Sequence, residues 1–472
     1  MASELVVERA RNPDRAIYLW ADLRQVERLV TQALHPRFEL LWDGLHDAFE
    51  HARVNVEWQL RGETFHRIGQ VVLTRRVEPH RHPEHRLPHN HQLRSIRPTT
   101  CKADKVDRLD SHSDGGRAVP IPILSLFTGA GFLDIGFHEA GFRAVWHNEI
   151  DPWFIEAFQS GMGRLLSDSV ENTIQNSSSI VGVSASQMLD EAFGGDVPRL
   201  FGMIGGPPCP DFSVAGKNRG GDGDVGVLSL IYVERILSVK PTFFLFENVP
   251  GLIRNRKHRV FLWGLQDMLD RDYAVETRVI NALDHGVPQD RERLFMIGFR
   301  RDAAVIGDFP WPFDERYDRA KSRFGWPTTN PFGANPTKPE GIPDELMVGP
   351  LICDPEVANL PNGREGFQPY SDKFGAIAEG DVSRKSFKRL HRWRYSPAAA
   401  YGNNEVHLHP TQPRRLTVRE AMRIQCVPDG YVLPTDMPLS YKFKTIGNGV
   451  PVSLARAVAR SIVDVIDDNA LR

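Results

Sequence analysis

Four short apolar segments recur in the middle of this sequence, and each one runs into a glycine-rich turn or an acidic residue. In chain order they are Ile121 to Phe127, Val145 to Glu149, Leu200 to Ile204 and Thr242 to Glu247. Segments of this length and apolarity are typical of buried strands in a parallel sheet. Helical patterns such as Phe132 to Ala140 separate them. The sequence therefore predicts an α/β fold around a parallel sheet.

The segment from Leu200 to Ile204 leads directly to a cysteine. The residues that follow it are Gly205-Gly206-Pro207-Pro208-Cys209, and open α/β sheets bind their ligands outside the carboxyl ends of the strands. A lone cysteine is more often a buried structural residue. The surrounding glycines and prolines favour a nucleophile instead. Glu247 ends the next strand, so we expect its carboxylate to lie beside the thiol.

A glycine turn follows the first apolar segment and precedes a helix. Thr128-Gly-Ala-Gly131 is typical of a nucleotide-like site, because glycines permit close approach and backbone N–H groups at the helix start point at the ligand. Glu149 comes about 20 residues later at a strand end, where a carboxylate usually accepts hydrogen bonds from ribose hydroxyls. Either feature alone is weak evidence, whereas the two together favour a nucleoside site.

Charge and cysteine content limit the classes of protein to which this chain can belong. The chain has 58 basic and 60 acidic residues, so its net charge of −2 does not indicate a nucleic-acid partner, although a basic face can be balanced elsewhere. Its 4 cysteines include no Cys-x-x-Cys pair, which argues against a disulfide framework or a thiolate zinc site. No apolar run reaches the roughly 18 residues of a membrane helix. We expect a cytoplasmic protein with no membrane partner.

Composition divides the chain into five predicted segments. Residues 1–78 form an accessory domain, and 79–118 form a polar linker. The α/β domain occupies 119–307 and closes with 411–472, and between these parts 308–410 is rich in proline, glycine, aromatic and basic residues. The linker contains five closely spaced histidines without acidic or thiolate partners, so we expect no metal site there. These histidines are His80, His82, His85, His89 and His91.

Taken together, the motifs resemble those of the bacterial DNA (cytosine-5) methyltransferases of restriction-modification systems, in their usual order from about residue 121 to 465. The matching strings are Phe127-Thr-Gly-Ala-Gly131, Glu149, Pro208-Cys209, Glu247-Asn248-Val249, Gln289-x-Arg291-x-Arg293, Arg415-Leu-Thr-x-Arg419-Glu420 and Gly447-Asn448-Gly449. Each string is common alone, whereas the ordered set is specific. The family's adenine-binding Asp has no evident counterpart in Ile180 to Met188.

The resemblance implies a Rossmann-like S-adenosylmethionine-dependent methyltransferase domain with a small loop-rich target-recognition domain at 308–410. It implies methylation of carbon 5 of a flipped-out cytosine in a specific double-stranded DNA sequence. The enzyme would act as a monomer on DNA and protect it from a cognate restriction endonuclease.

The resemblance also assigns roles to individual residues. Cys209 would be the nucleophile, Glu247 the acid at ring nitrogen 3, and Arg293 the residue holding the exocyclic oxygen, with Arg291 as second candidate. No metal is expected. The implied cofactor-binding residues are Phe127, Thr128, Gly129, Gly131, Glu149, Ile150, Pro207 and Asn448.

Two other functions fit part of this pattern. A tRNA (cytosine-5) methyltransferase of the same fold would keep the cysteine and the glutamate, but such relatives tend to carry a Cys-Phe-Thr string that this sequence lacks. A DNA-binding module that has lost its activity would have an altered nucleophile. Cys209 and Glu247 are both present, which favours an active enzyme.

Overall fold

The computed structural model describes residues 119–166, 173–208, 224–304, 308–312, 317–368, 372–384, 386–398, 401 and 406–471. The predicted accessory domain and linker at 1–118 lie outside the described residues. So do Cys209 and most of the glycine-rich stretch that follows it. In the described parts of the chain, no helix is long and apolar enough to cross a membrane.

A seven-stranded sheet forms the centre of the described structure. Its strands are β1 (Ile121–Leu126), β2 (Phe142–Asn148), β3 (Ile174–Asn176), β4 (Gly202–Gly205), β5 (Phe243–Asn248), β6 (Tyr273–Asn281) and β8 (Glu292–Arg300), and the short β7 (Gln289–Asp290) lies outside it. The strand order is β3-β2-β1-β4-β5-β8-β6. Strands β1 to β5 are parallel, and β8 runs antiparallel to both β5 and β6. The predicted α/β, Rossmann-like class is confirmed.

Helices cover the sheet, which explains why its central strands are apolar on both faces. The helices are α1 (Phe132–Glu139), α2 (Pro152–Leu165), α3 (Ala185–Phe193), α4 (Asp224–Val239), α5 (Gly251–Arg254), α6 (Arg256–Leu269), α7 (Ala320–Arg323), α8 (Gly349–Ile352), α9 (Val418–Ile424), α10 (Leu439–Asn448) and α11 (Val452–Asp468). Helix α11 packs against α1, and its Leu454, Val458 and Ile462 join the strand side chains in one core. A capping box formed by Thr417 and Glu420 opens α9.

The connection pattern locates the binding crevice. From β1 the chain adds β2 and β3 on one side, and it then returns to place β4 and β5 on the other side. Ligands of such sheets bind outside the carboxyl ends of the strands at this reversal. The crevice therefore lies at the ends of β1 and β4, next to the end of β5.

The segment 308–410 is loop-rich, as predicted. Its described residues form the short strands β9 (Lys388–Arg389), β10 (Ser396–Pro397) and β11 (His407–Leu408), besides one-turn helices. Strand β10 pairs with β7, which joins this segment to the α/β domain.

Several of the basic and aromatic residues in this segment are structural. Arg389 is fully buried and donates hydrogen bonds to the carbonyls of Phe374, Ile377, His409 and Gln412. Trp326 packs edge-to-face on Tyr395 with 4.9 Å between ring centres. These contacts hold the loops together, and the fully buried Arg389 is not free to contact a ligand.

Candidate active site

The turn after β1 has an unusual backbone. Phe127, Gly129 and Gly131 all have positive φ angles, of 57°, 55° and 79°. Glycine adopts this conformation freely, whereas for phenylalanine it costs on the order of 1–3 kcal/mol and persists only where the surroundings fix it. The Phe127 ring packs edge-to-face on Tyr232, with 6.1 Å between centres. Strain of this kind is concentrated at functional sites.

Glu149 lies beside this turn, as the sequence predicts. Its Oε2 accepts a hydrogen bond from the Gly129 N–H at 2.9 Å, and its Oε1 accepts from the N–H groups of Ile150 and Asp151 at 2.8 and 2.9 Å. An ionised carboxylate has about four acceptor positions, so capacity remains for a hydroxyl. Ile150 follows with 61% of its surface exposed, which provides an apolar surface next to the carboxylate.

Other residues around the turn suit a nucleoside. The hydroxyl of Thr128 is buried and, among the described residues, has no hydrogen-bond partner. A Cβ on Gly129 would lie 4.0 Å from Oγ1 of Thr445 in α10, so the end of that helix borders the turn. Asn448 is the last residue of α10 and is exposed. A carboxylate, an unsatisfied hydroxyl and an exposed apolar side chain match the ribose and base of a nucleoside donor.

The end of β3 explains why the expected adenine-binding Asp could not be found. Asn176 stands there and is buried, and its carbonyl accepts hydrogen bonds from Asn148 Nδ2 at 2.9 Å and from the Glu149 N–H at 3.3 Å. The exposed Ser177, Ser178 and Ser179 follow at the same edge. The segment 180–188, in which the sequence shows no such Asp, begins after this strand end.

The second half of the site lies at the ends of β4 and β5. Gly206 follows β4, and a Cβ there would lie 2.7 Å from Oε2 of Glu247, so only glycine fits without displacing the carboxylate. Pro207 is buried, and its carbonyl is 3.4 Å from Nδ2 of Asn248. Cys209 comes two residues after Pro207, outside the described residues.

Glu247 forms an ion pair with Arg293. Nε of Arg293 is 2.8 Å from Oε1 of Glu247, and the side chains are only 11% and 13% exposed. Burial raises the pKa of Glu247, and the guanidinium groups of Arg293 and Arg291 partly oppose this rise. Burial likewise lowers the pKa of Arg293. The site thus contains a carboxyl group that can hold a proton beside a fixed cation.

Arg291 occupies a different position from the one its motif suggested. It is buried, and its Nη2 donates hydrogen bonds to the carbonyls of Gly447 and Gly449, the latter at 3.0 Å. A Cβ on Gly449 would lie 2.4 Å from the ring of Phe132, so this segment packs directly against the start of α1. Arg291 therefore holds the Gly447–Gly449 segment in place. That Arg293, or Arg291 as second candidate, contacts a base stays a prediction.

Sequence reasoning missed a buried polar cluster beneath the glycine turn. Ser125 and His147 are register partners on β1 and β2, and Asp134 of α1 is buried with no hydrogen-bond partner for its carboxylate oxygens among the described residues. Burial raises the pKa of Asp134 to about 6 and lowers that of His147 to about 4. His147 stacks on Phe158 with 4.1 Å between ring centres. The only sequence signal was an acidic residue within the apolar pattern of α1.

Comparison with known proteins agrees with this geometry. The family described as C-5 cytosine-specific DNA methylase matches residues 121–344 and 354–464. The Type II methyltransferase M.NmeDI of Neisseria meningitidis is 43% identical over 357 residues, which cover 74% of this chain and 84% of that protein. M.XorII of Xanthomonas oryzae, also a Type II methyltransferase, is 31% identical over 392 residues, covering 73% and 84% of the two chains.

A solved structure supports the fold alone. It is described as a DNA modification methyltransferase encoded within an E. coli prophage, and it is 22% identical with a TM-score of 0.52. The match covers 74% of this chain and 99% of that one. The family match extends over both parts of the α/β domain and over most of the segment between them. The chain therefore belongs to the C-5 cytosine-specific DNA methylase family and is a DNA (cytosine-5) methyltransferase of the type II restriction-modification kind.

Proposed function

We propose that this enzyme transfers a methyl group from S-adenosylmethionine to carbon 5 of a flipped-out cytosine in a specific double-stranded DNA sequence, through a covalent adduct with Cys209. The observation that carries the proposal is the buried pair of Glu247 and Arg293. Glu247 lies on β5, which neighbours β4, and Arg293 lies on β8, the strand after β5. Strand β4 leads to Cys209, and the glycine turn and Glu149 lie on its other side.

The donor would be held by the residues around the glycine turn. Glu149 would accept hydrogen bonds from the ribose hydroxyls, the exposed face of Ile150 would pack on the adenine, and Thr128 would satisfy its buried hydroxyl. The walls of the donor site would be completed by Phe127, Gly129, Gly131, Pro207 and Asn448. When bound, S-adenosylmethionine supplies an electrophilic methyl group.

Cys209 would activate the base, because ring carbon 5 of cytosine is a poor nucleophile. The thiolate adds to carbon 6, and the electron pair of the 5,6 double bond becomes available at carbon 5, with charge developing at ring nitrogen 3. After methylation, carbon 5 loses its proton, the double bond re-forms, and the sulfur leaves as thiolate. Cys209 is thereby regenerated for the next cycle.

Glu247 would supply the proton, or a strong hydrogen bond, to ring nitrogen 3. A glutamate can do so near neutral pH only if its pKa is raised, and burial acts in that direction here. Arg293 would donate to the exocyclic oxygen of the base and hold the Glu247 carboxyl in place through its 2.8 Å ion pair. The two side chains together would recognise a cytosine edge.

The target base must leave the duplex, because this chemistry cannot reach a stacked cytosine. Flipping costs a few kcal/mol, which binding contacts must offset. The segment 308–410 would act as the target-recognition domain and supply the base-edge contacts. The relatives M.NmeDI and M.XorII are named Type II methyltransferases. By analogy, methylation would protect the host DNA from a cognate restriction endonuclease.

Methylation-resolved sequencing tests this function directly. The wild-type protein and its Cys209→Ser variant are expressed in cells that lack cytosine-5 methylation, and both DNA and tRNA are sequenced. We expect 5-methylcytosine at one DNA sequence context with the wild type and none with the variant. Methylation confined to tRNA, or an equal level with Cys209→Ser, would contradict the proposal.

A further inference from the structure

An exposed face at the start of α6 combines cationic groups with an aromatic ring. We define this α6 surface by Arg256, Arg259, Val260 and Trp263. Val260 and Trp263 are 54% and 55% exposed, and the guanidinium carbon of Arg259 lies 5.2 Å from the centre of the Trp263 ring. Exposed large apolar residues are few among the described residues, so their coincidence with cations on one helix face requires an explanation.

Folding stability does not account for this composition. Cationic side chains near a helix N-terminus oppose the helix dipole and cost about 0.3–1 kcal/mol each. The first turn of α6 contains no acidic residue to compensate. Among the described residues, no carboxylate lies within ion-pair distance of Arg256 or Arg259. A negatively charged partner from outside the chain would remove this cost.

The α6 surface adjoins the active site. Helix α5 begins three residues after β5 ends, and its Arg254 forms a two-bond ion pair with Glu292 at 2.5 and 2.7 Å. Glu292 is the first residue of β8, and because β8 runs antiparallel to β5, it lies at the same sheet edge as Glu247. Arg256 follows Arg254 by two residues. The cations of α6 thus lie at the edge where the target base would enter.

We propose that the α6 surface binds the phosphate backbone of the DNA that flanks the target base. The proposal rests on the function given above, and charge complementarity and closeness to the active site argue for this partner. Arg256 and Arg259 would each contact one phosphate, and Trp263 would hold the Arg259 guanidinium through its cation–π contact. Such contacts fix the register of the duplex without choosing its sequence.

The salt dependence of DNA binding tests this contact. The double variant Arg256→Gln/Arg259→Gln is compared with the wild type on a long duplex that contains the methylated sequence. The slope of log Kobs against log salt is negative, and each lost phosphate contact reduces its magnitude by about 0.9, so we expect the magnitude to fall by about 1.8. The methylated sequence and the donor Kd should not change. The matched control is Arg271→Gln, which removes an 85% exposed arginine just beyond the other end of α6.

Each other outcome overturns the proposal. A double variant with the wild-type salt slope, or an equal decrease in Arg271→Gln, means that α6 does not touch the duplex. A changed oligomeric state with an unchanged slope assigns the surface to a protein partner instead. In these cases the wild type still methylates DNA, so the proposed function stands. A wild type that neither binds nor methylates DNA fails at the proposed function itself.

Discussion

At the scale of single residues, burial shifts the pKa values of ionisable side chains in and near the proposed catalytic site. Glu247 keeps a raised pKa despite its ion pair with Arg293, because desolvation outweighs the attraction. Asp134 beneath the glycine turn is also shifted by burial, to a pKa of about 6. We assign the first group to the proposed chemistry, whereas the second lies beneath the glycine turn and affects stability.

Glu247→Gln tests the role of the carboxyl proton. Glutamine keeps the size and can donate a hydrogen bond, but it cannot transfer a proton. We expect kcat to fall by about 10²- to 10⁴-fold, with donor Kd unchanged. The wild-type rate should fall as pH rises through the raised pKa of Glu247, and the variant should lose this dependence. Single-turnover rates across pH measure both effects, and Glu139→Gln, which removes only a surface ion pair with Arg456, is the control. A variant with the wild-type rate would contradict the assignment.

Asp134→Asn should stabilise the protein at neutral pH. Burial raises the pKa of Asp134 to about 6, well above the usual value of an aspartate, so its protonated form is favoured in the fold. Its contribution to stability is present below the unfolded pKa and is lost as pH rises to about 6. The loss corresponds to about 3 kcal/mol, which a neutral amide avoids. Urea unfolding at pH 4.5 and pH 7.5 should show a larger gain for the variant at the higher pH. If the difference in unfolding free energy between the variant and the wild type did not vary with pH, this prediction would be wrong.

At the scale of elements, the closing segment of the chain fixes the glycine turn. Tyr431 is fully buried, and its hydroxyl lies 2.7 and 2.9 Å from the carbonyl oxygens of Ala130 in the turn and Ala157 in α2, which share its one proton. Arg291 adds a second connection through the carbonyls of Gly447 and Gly449. The strained turn is thus held by residues that lie more than 150 positions away in sequence.

Tyr431→Phe should weaken both stability and donor binding. It leaves two buried carbonyls without this donor, at a cost of about 1–3 kcal/mol. Tyr273→Phe is a matched control, because the buried Tyr273 hydroxyl donates to the Pro241 carbonyl at 3.0 Å, away from the turn. We expect both variants to lose stability in thermal unfolding, and only Tyr431→Phe to bind the donor more weakly in calorimetry. Equal donor affinity in both variants would show that the Tyr431 contact does not support the site.

The elements that could be predicted from sequence are those whose residues carry their own signal. Strands β4 and β5 are apolar because both of their faces are buried, and a capping box marks the N-terminus of α9. Strand β3 has three residues and a partly exposed Ile174, so its pattern is too weak to recognise. The clamp made by Arg291 depends on a contact 156 residues away, which no local pattern encodes.

At the scale of the whole molecule, catalysis and recognition are assigned to different segments. The residues of the proposed catalytic site lie at strand ends between β1 and β8, whereas 308–410 is loop-rich. Part of its aromatic and basic content proved to be structural, as Arg389 and Trp326 show. Residue type alone therefore overstated how many side chains there could read DNA.

Exchange of residues 308–408 for the matching segment of a relative with another target should move methylation to that relative's sequence. The pair of Glu379 and Arg392 lies within the segment and moves with it. Across the boundary of the segment, Arg389 donates to the carbonyls of His409 and Gln412, and any sequence provides such carbonyls. Donor affinity should change little. Methylation-resolved sequencing gives the result, with removal of residues 1–118 as the comparison. If the methylated sequence changed on removal of residues 1–118 but not on the exchange of 308–408, the assignment of target recognition to 308–408 would be wrong.

The covalent step is the central claim, and trapping with 5-fluorocytosine tests it most directly. Fluorine replaces the proton that must leave carbon 5, so the adduct cannot resolve. A duplex carrying 5-fluorocytosine at the target position is incubated with enzyme and S-adenosylmethionine and then run on a denaturing gel. We predict a complex that survives denaturation with the wild type and is absent with Cys209→Ser. A wild type that methylates the unmodified duplex but forms no such complex would contradict the account.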